Sequence, residues 1–279
     1  MIYLILAVIS STLVSVIMRA SEKYVRNNIT MLASNYLMCS GLAAICTGTW
    51  NLFPISAEGF PFSVGLGLVS GVFYMGSFML LQWNTQKNGI VLSSMFMKLG
   101  VMVPTLMAML VFDEIPRAVQ VVGMLVALAA ILLINMEKGS GKAVSSMGLV
   151  FLLVAGGMTD AMSKIYEELG VSTLKNHFLL YTFMMAFALC VVVCLIKKQG
   201  VTGKDVGFGL AIGIPNFCSA LFLLLSLSDV PAMIAYPTYS VATIVVVTLV
   251  GMVFFKEKLS RRQILSMLMI FAALVLLNI

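Results

Sequence analysis

The sequence predicts an all-α integral membrane protein whose ten transmembrane helices form two inverted five-helix repeats around a central cavity. Three observations carry this expectation. Hydrophobic residues make up 61% of the 279-residue chain and charged residues 10%, and a mean hydropathy of +1.08 is more than one soluble core hides. The charges cluster between apolar runs of about 20 residues, the length that crosses a hydrocarbon layer. The second half of the chain also repeats spaced residues of the first.

The ten spans fall at 2–18, 30–49, 62–82, 89–111, 117–135, 146–164, 177–196, 205–226, 231–255 and 262–278, each bounded by charged or Gly/Pro/Asn breaks. The first lacks the basic start and small-residue cleavage site of a signal peptide, so it stays a helix. It ends at Arg19, with Glu22 and Lys23 close behind and a guanidinium long enough to reach a cavity mouth. The second carries Asn35 and Tyr36 near its start. The third places Gly67 and Gly71 one turn apart, a small-residue face for close packing, with Tyr74 beyond them.

The fourth span, "VLSSMFMKLGVMVPTLMAML", holds Lys98 about 14 Å along a helix of about 34 Å. An ammonium at that depth costs at least ~2.5 kcal/mol unless it faces the bundle interior. Ser94 shares its face one turn earlier, and Pro104 predicts a kink with Thr105 beside it. The fifth span ends at "EKGSGKA", the most flexible connector, which divides the chain into a first repeat 1–136, a linker 137–144 and a second repeat 145–279.

In the sixth span Asp160 stands one turn before Lys164, which offers local neutralisation; a bridge to Lys98 and a coupling role are the other readings. The seventh begins near His177, the single histidine, in no metal-binding or catalytic pattern, and carries Tyr181. The eighth repeats the glycine face at Gly209 and Gly213 and adds Asn216. The ninth sets Tyr236, Tyr239, Ser240 and Thr243 at helical spacing around Pro237, a polar face poorly suited to lipid. All five cysteines lie within apolar runs, which implies packing rather than disulfides or zinc.

The repeat is specific. "VGLGLVSGVFYMGS" from Val64 aligns with "VGFGLAIGIPNFCS" from Val206 at an offset of 142, so Tyr74 coincides with Asn216 and Ser77 recurs as Ser219. "FDEIPRAVQ" from Phe112 aligns with "FKEKLSRRQ" from Phe255 at 143. With an odd number of spans per unit, the second enters the membrane from the opposite side, and such pairs build a site at their interface.

Ten spans in two halves, with these turns before the last helix of each, resemble the drug/metabolite transporter superfamily, in its EamA-like branch, over essentially the whole chain. The turns stand where that family has Gly-Glu-(Arg/Lys)-Leu; the glycine is absent from both, and the first has Ile115-Pro116. The resemblance implies secondary transport of a small metabolite through a central cavity.

The expected function is therefore alternating-access transport of a small polar metabolite, anionic or zwitterionic, such as an amino acid. Lys98 would meet its carboxylate or phosphate, with Ser94, Tyr74, Asn216, Tyr236, Tyr239, Ser240, Asp160 and Arg19 as the other candidates. Export of cationic or lipophilic drugs, with Asp160 as counter-ion, is the alternative. The small four-helix multidrug exporters of the same superfamily use a glutamate in their first helix, whereas residues 1–18 contain no acid. A membrane assembly or sensor subunit is the third class. An enzyme is not expected, since no nucleophile-base set lies within the spans; no cofactor or metal is called for.

The expected partners are a small-molecule substrate, a coupling proton or cation and the lipid bilayer, without nucleic acid, and the chain is expected as a monomer or homodimer in a bacterial inner membrane. Thirteen of the 17 Lys and Arg fall in the odd-numbered loops and three in the even ones. The positive-inside rule then puts the odd loops in the cytoplasm, whereas the family resemblance implies the reverse.

Overall fold

The computed structural model describes residues 2–49, 51–103, 117–135, 146–198, 200–226, 232–256, 261–277 and 279, and among them every regular element is helical. The helices are α1 (Ile2–Ser21), α2 (Asn28–Cys46), α3 (Phe60–Asn88), α4 (Ile90–Leu99), α5 (Ala118–Asn135), α6 (Ser146–Leu169), α7 (Lys175–Ile196), α8 (Gly203–Ser226), α9 (Ala232–Val253) and α10 (Arg261–Leu277). Six of these, α1, α2, α3, α6, α7 and α8, are long and apolar enough to cross a membrane. The chain is a multi-pass integral membrane protein. Pro104, Thr105, the Asp113-Glu114 turn, Glu257 with Lys258, and the 137–144 linker lie outside the described residues.

Two helices run past their expected ends for the same reason. Polar side chains there find partners within the bundle, so the helix need not stop where hydropathy falls. In α3, Asn84 Nδ2 donates to Leu80 O at 2.8 Å and to Gly148 O at 2.9 Å, tying the "QWNTQKN" segment to the start of α6. In α6, the Tyr166 hydroxyl lies 3.1 Å from Ser63 Oγ and donates to Val171 O at 3.1 Å. The reversal from α3 into α4 is made at Gly89, whose φ of 83° is open to glycine and strained for other residues.

Helix α1 packs on α8 and α9, α2 on α7 and α8, α3 on α6 and α7, α4 on α6 and α9, and α5 on α10. Glycines permit two of these approaches. A Cβ on Gly71 would stand 2.5 Å from Thr182 O of α7, and one on Gly213 would stand 2.7 Å from Asn35 O of α2. Backbone cannot give way as a side-chain tip can. Gly71→Ala and Gly213→Ala are each expected to lower the thermal midpoint, by about 1–3 kcal/mol in stability. Gly65→Ala, where a Cβ meets open space, should hold or raise it through helix propensity. Thermal unfolding of the purified protein reads the contrast.

The loops gather at two ends. At one, Asn27 Nδ2 of the α1–α2 turn donates to Gly200 O, and Asp205 at the start of α8 accepts from Arg26 N at 2.9 Å. At the other, Asn176 Nδ2 and the Tyr181 hydroxyl at the start of α7 donate to Cys46 O and Leu52 O, and His177 Nε2 lies 3.2 Å from Asn51 O.

Candidate functional site

Lys98 sits on the last turn of α4, where the ladder tightens. Gly100 N donates to Met97 O, Val101 N to Lys98 O and Val103 N to Gly100 O, all i to i+3 bonds. The tightening coincides with Gly100 lying against Gly157 of α6, a crossing too close for any side chain. The first departure from regular helix thus comes at Gly100, ahead of Pro104.

The ammonium points across to α9. Lys98 Nζ lies 3.7 Å from the centroid of the Tyr239 ring, within the range where the face of an aromatic attracts a cation, by about 2 kcal/mol when water is excluded. The ring is fixed from behind. The Tyr239 and Ser219 hydroxyls are 2.9 Å apart, and Ser219 Oγ donates to Ala7 O of α1 at 3.5 Å. Four helices therefore meet around one lysine.

These residues line a cavity of about 100 Å³, several times the room one water needs. Asp160 of α6 lines it too. Among the described residues no Lys, Arg or His nitrogen lies within 4 Å of the Asp160 carboxylate; the ion pair they form is Arg19 with Glu22. Neither the expected neutralisation by Lys164 nor a bridge to Lys98 is made at that distance; the Lys98 ammonium lies against the Tyr239 ring instead. The cavity wall thus carries one basic and one acidic side chain.

Hydrogen-bonding groups surround the two charges. Ser94 Oγ donates to Ser15 Oγ of α1 at 3.4 Å. Asn216 Nδ2 donates to Asn35 Oδ1 at 3.2 Å and to Cys39 Sγ at 3.5 Å, which braces it on α2. The Tyr74 ring packs edge-on to Phe183 at 5.3 Å and beside Phe78, closing an apolar side of the wall. Its carbonyl accepts from the Tyr36 hydroxyl, so Tyr36 supports the wall from outside.

Six of the predicted residues thus share the wall: Lys98, Ser94, Tyr74, Asn216, Tyr239 and Asp160. Ser240 is buried but does not line it. It is turned by about 100° from Tyr239, whereas Thr243 shares the tyrosine's face and does line the cavity. Arg19 lies one turn beyond Ser15, outside the wall, with its guanidinium on Glu22 and on Thr85 O of α3. The Tyr236 side chain is outside the described residues. Sequence reasoning passed over the hydroxyls of Ser11, Ser15, Ser77, Thr159, Ser163 and Ser219. The repeat alignment held the signal for Ser77 and Ser219.

Comparisons with known proteins give three likenesses. Residues 177–270, from α7 through most of α10, match the family model of the Small Multidrug Resistance protein. An uncharacterized protein of Haemophilus influenzae is 23% identical over 97% of this chain and 95% of its own length. A solved crystal structure superposes with a TM-score of 0.65 at 14% identity, covering 98% of this chain and 96% of that one. That likeness is one of fold.

Proposed function

We propose that the protein is a secondary active transporter of small zwitterions of the amino-acid kind, in which two inverted five-helix halves alternate access to the central cavity. Exchanging each helix with the one five places away carries the most extensive helix contacts onto one another. Helix α1 on α8 becomes α6 on α3, α2 on α8 becomes α7 on α3, and α1 on α9 becomes α6 on α4. The pairs α2–α7, α4–α9 and α5–α10 map onto themselves. Tyr74 with Asn216 and Ser77 with Ser219, each related by the 142-residue offset, face one cavity. This supports the resemblance to the EamA-like drug/metabolite transporters, and the Small Multidrug Resistance match favours the same broad class.

One observation carries the substrate assignment: Lys98 and Asp160 stand in the same wall without an ion pair between them. A carboxylate placed on Lys98 displaces the Tyr239 contact, and an ammonium placed toward Asp160 completes the charge balance. Asp160 is also the acid a coupling proton would use.

The family match supplies a second reading, export of cationic drugs with Asp160 as counter-ion. The acid is then on α6, for neither α1 nor α7 contains Asp or Glu. A thermal-shift screen of the purified protein against amino acids, organic acids, sugar phosphates and lipophilic cations separates the two. Ligand at a hundred times its Kd stabilises by about 2.7 kcal/mol. Stabilisation by amino acids is expected; stabilisation by lipophilic cations alone would replace this reading with the second.

A further inference from the structure

Outside the cavity, a cluster of cations lies on the rim where the α1–α2 turn meets the segment joining α7 to α8. Lys23 and Arg26 on one side and Lys197, Lys198 and Lys204 on the other are all exposed, and among the described residues none pairs with a carboxylate within 4 Å. Asp205, the acid between them, is buried, with one oxygen engaged by the N–H groups of Arg26 and Asn27. The two loops are held together by these bonds and by the Tyr24 ring stacked on Phe208, with centroids 5.7 Å apart. Lys204 Nζ stands 5.7 Å from the same tyrosine ring. Directly along α7, Leu195 and Ile196 are 72% and 75% exposed.

The arrangement is graded as a membrane interface is graded: cations outermost, an amphipathic aromatic at the boundary, bare aliphatic side chains beyond it. A soluble anion has no use for the aliphatic part, whereas a phospholipid matches all three zones, with acyl chains against Leu195 and Ile196. The opposite end of the bundle differs in charge, for Arg117, Lys164 and Lys175 there are offset by Glu58, Glu167 and Glu168.

We propose that this rim binds the phosphate headgroup of an anionic phospholipid, and that the end carrying it faces the cytoplasm, as the distribution of Lys and Arg has it and opposite to the side the family resemblance implies. Lysines and arginines beside a span are retained on that side, where anionic headgroups also concentrate. The site is separate from the transport cavity and shares no residue with its wall.

The test uses the full chain purified in neutral detergent, supplemented with phosphatidylglycerol, phosphatidylcholine or inorganic phosphate. Phosphatidylglycerol is expected to raise the thermal midpoint, and the other two to leave it where it is. Combined Lys23→Gln, Arg26→Gln and Lys204→Gln should lose at least half of the rise, while Lys175→Gln at the other end keeps it. An equal rise with phosphatidylcholine, an equal rise with inorganic phosphate, or a triple variant that retains the effect each overturns the lipid site. Orientation has its own readout in the wild-type chain. Cys46 is exposed at the far end of α2, so an impermeant maleimide added to intact cells should label it, with Cys46→Ser as the blank. Labelling that needs permeabilised cells overturns the assignment of sides.

Discussion

Replacing Lys98 with methionine is expected to cut sharply the stabilisation of the protein by amino acids and their uptake into proteoliposomes. Methionine keeps the length and apolar bulk of the side chain, so the packing of α4 against α6 survives. What goes is the ammonium that stands 3.7 Å from the Tyr239 ring. A hydrogen bond between a charged donor and a carboxylate contributes about 1.5–3 kcal/mol net, which weakens binding by about ten- to a hundredfold. Lys98→Arg keeps the charge and spreads it over a planar fork, so partial binding is expected. Tyr239→Phe keeps the aromatic face and removes the 2.9 Å contact with Ser219; its loss should be the smaller of the two changes at this contact. Uptake unchanged in Lys98→Met would remove the lysine from the site and turn attention to cationic ligands.

The placement of these groups explains how far sequence alone could reach. Lys98 and Asp160 were legible because an ionised group within an apolar run has few acceptable surroundings, and an inward wall is the commonest of them. Tyr74 and Asn216 were legible because they coincide in the repeat. Most of the serines and threonines were not; Ser94 and Thr243 stood out only by sharing a face with Lys98 and Tyr239. A hydroxyl in a helix can donate to the carbonyl one turn back, as Thr159 does to Ala155 O at 3.0 Å and Ser163 to Thr159 O at 3.3 Å. Such a residue is tolerated on any face and its position carries little information. Arg19 and Ser240 show the converse limit. Both are polar and near the right helices, yet one side chain is drawn to Glu22 and Thr85 O and the other is rotated out of the wall. Nor does any spacing within α4 announce that Lys98 meets a tyrosine on α9, since the contact depends on how two helices from opposite halves cross.

Asp160→Asn provides the complementary expectation, and its value lies in combination with Lys98→Met. Each single variant removes one charge and leaves the other in a partly buried cavity without a counter-charge, a state that costs more than the lost attraction alone. The double variant removes both and leaves a neutral polar wall with nearly the same volume. Residues that share a cavity couple by about 0.5–3 kcal/mol, so the thermal midpoint of the double variant should lie above the sum of the two single losses. Ligand selectivity should divide in the same way. Asparagine at 160 keeps a carbonyl oxygen for an ammonium but no charge, so amino acids bind more weakly while organic acids, held through Lys98, are spared. Additive losses within about 0.5 kcal/mol would mean that cavity water separates the two charges, and unchanged amino-acid binding in Asp160→Asn would leave Lys98 as a site for anions. A coupled loss, with organic acids spared, requires both ends of one ligand to be read by helices α4 and α6, which cross at Gly100 and Gly157. The two glycines then serve the substrate by setting how far apart the lysine and the aspartate stand.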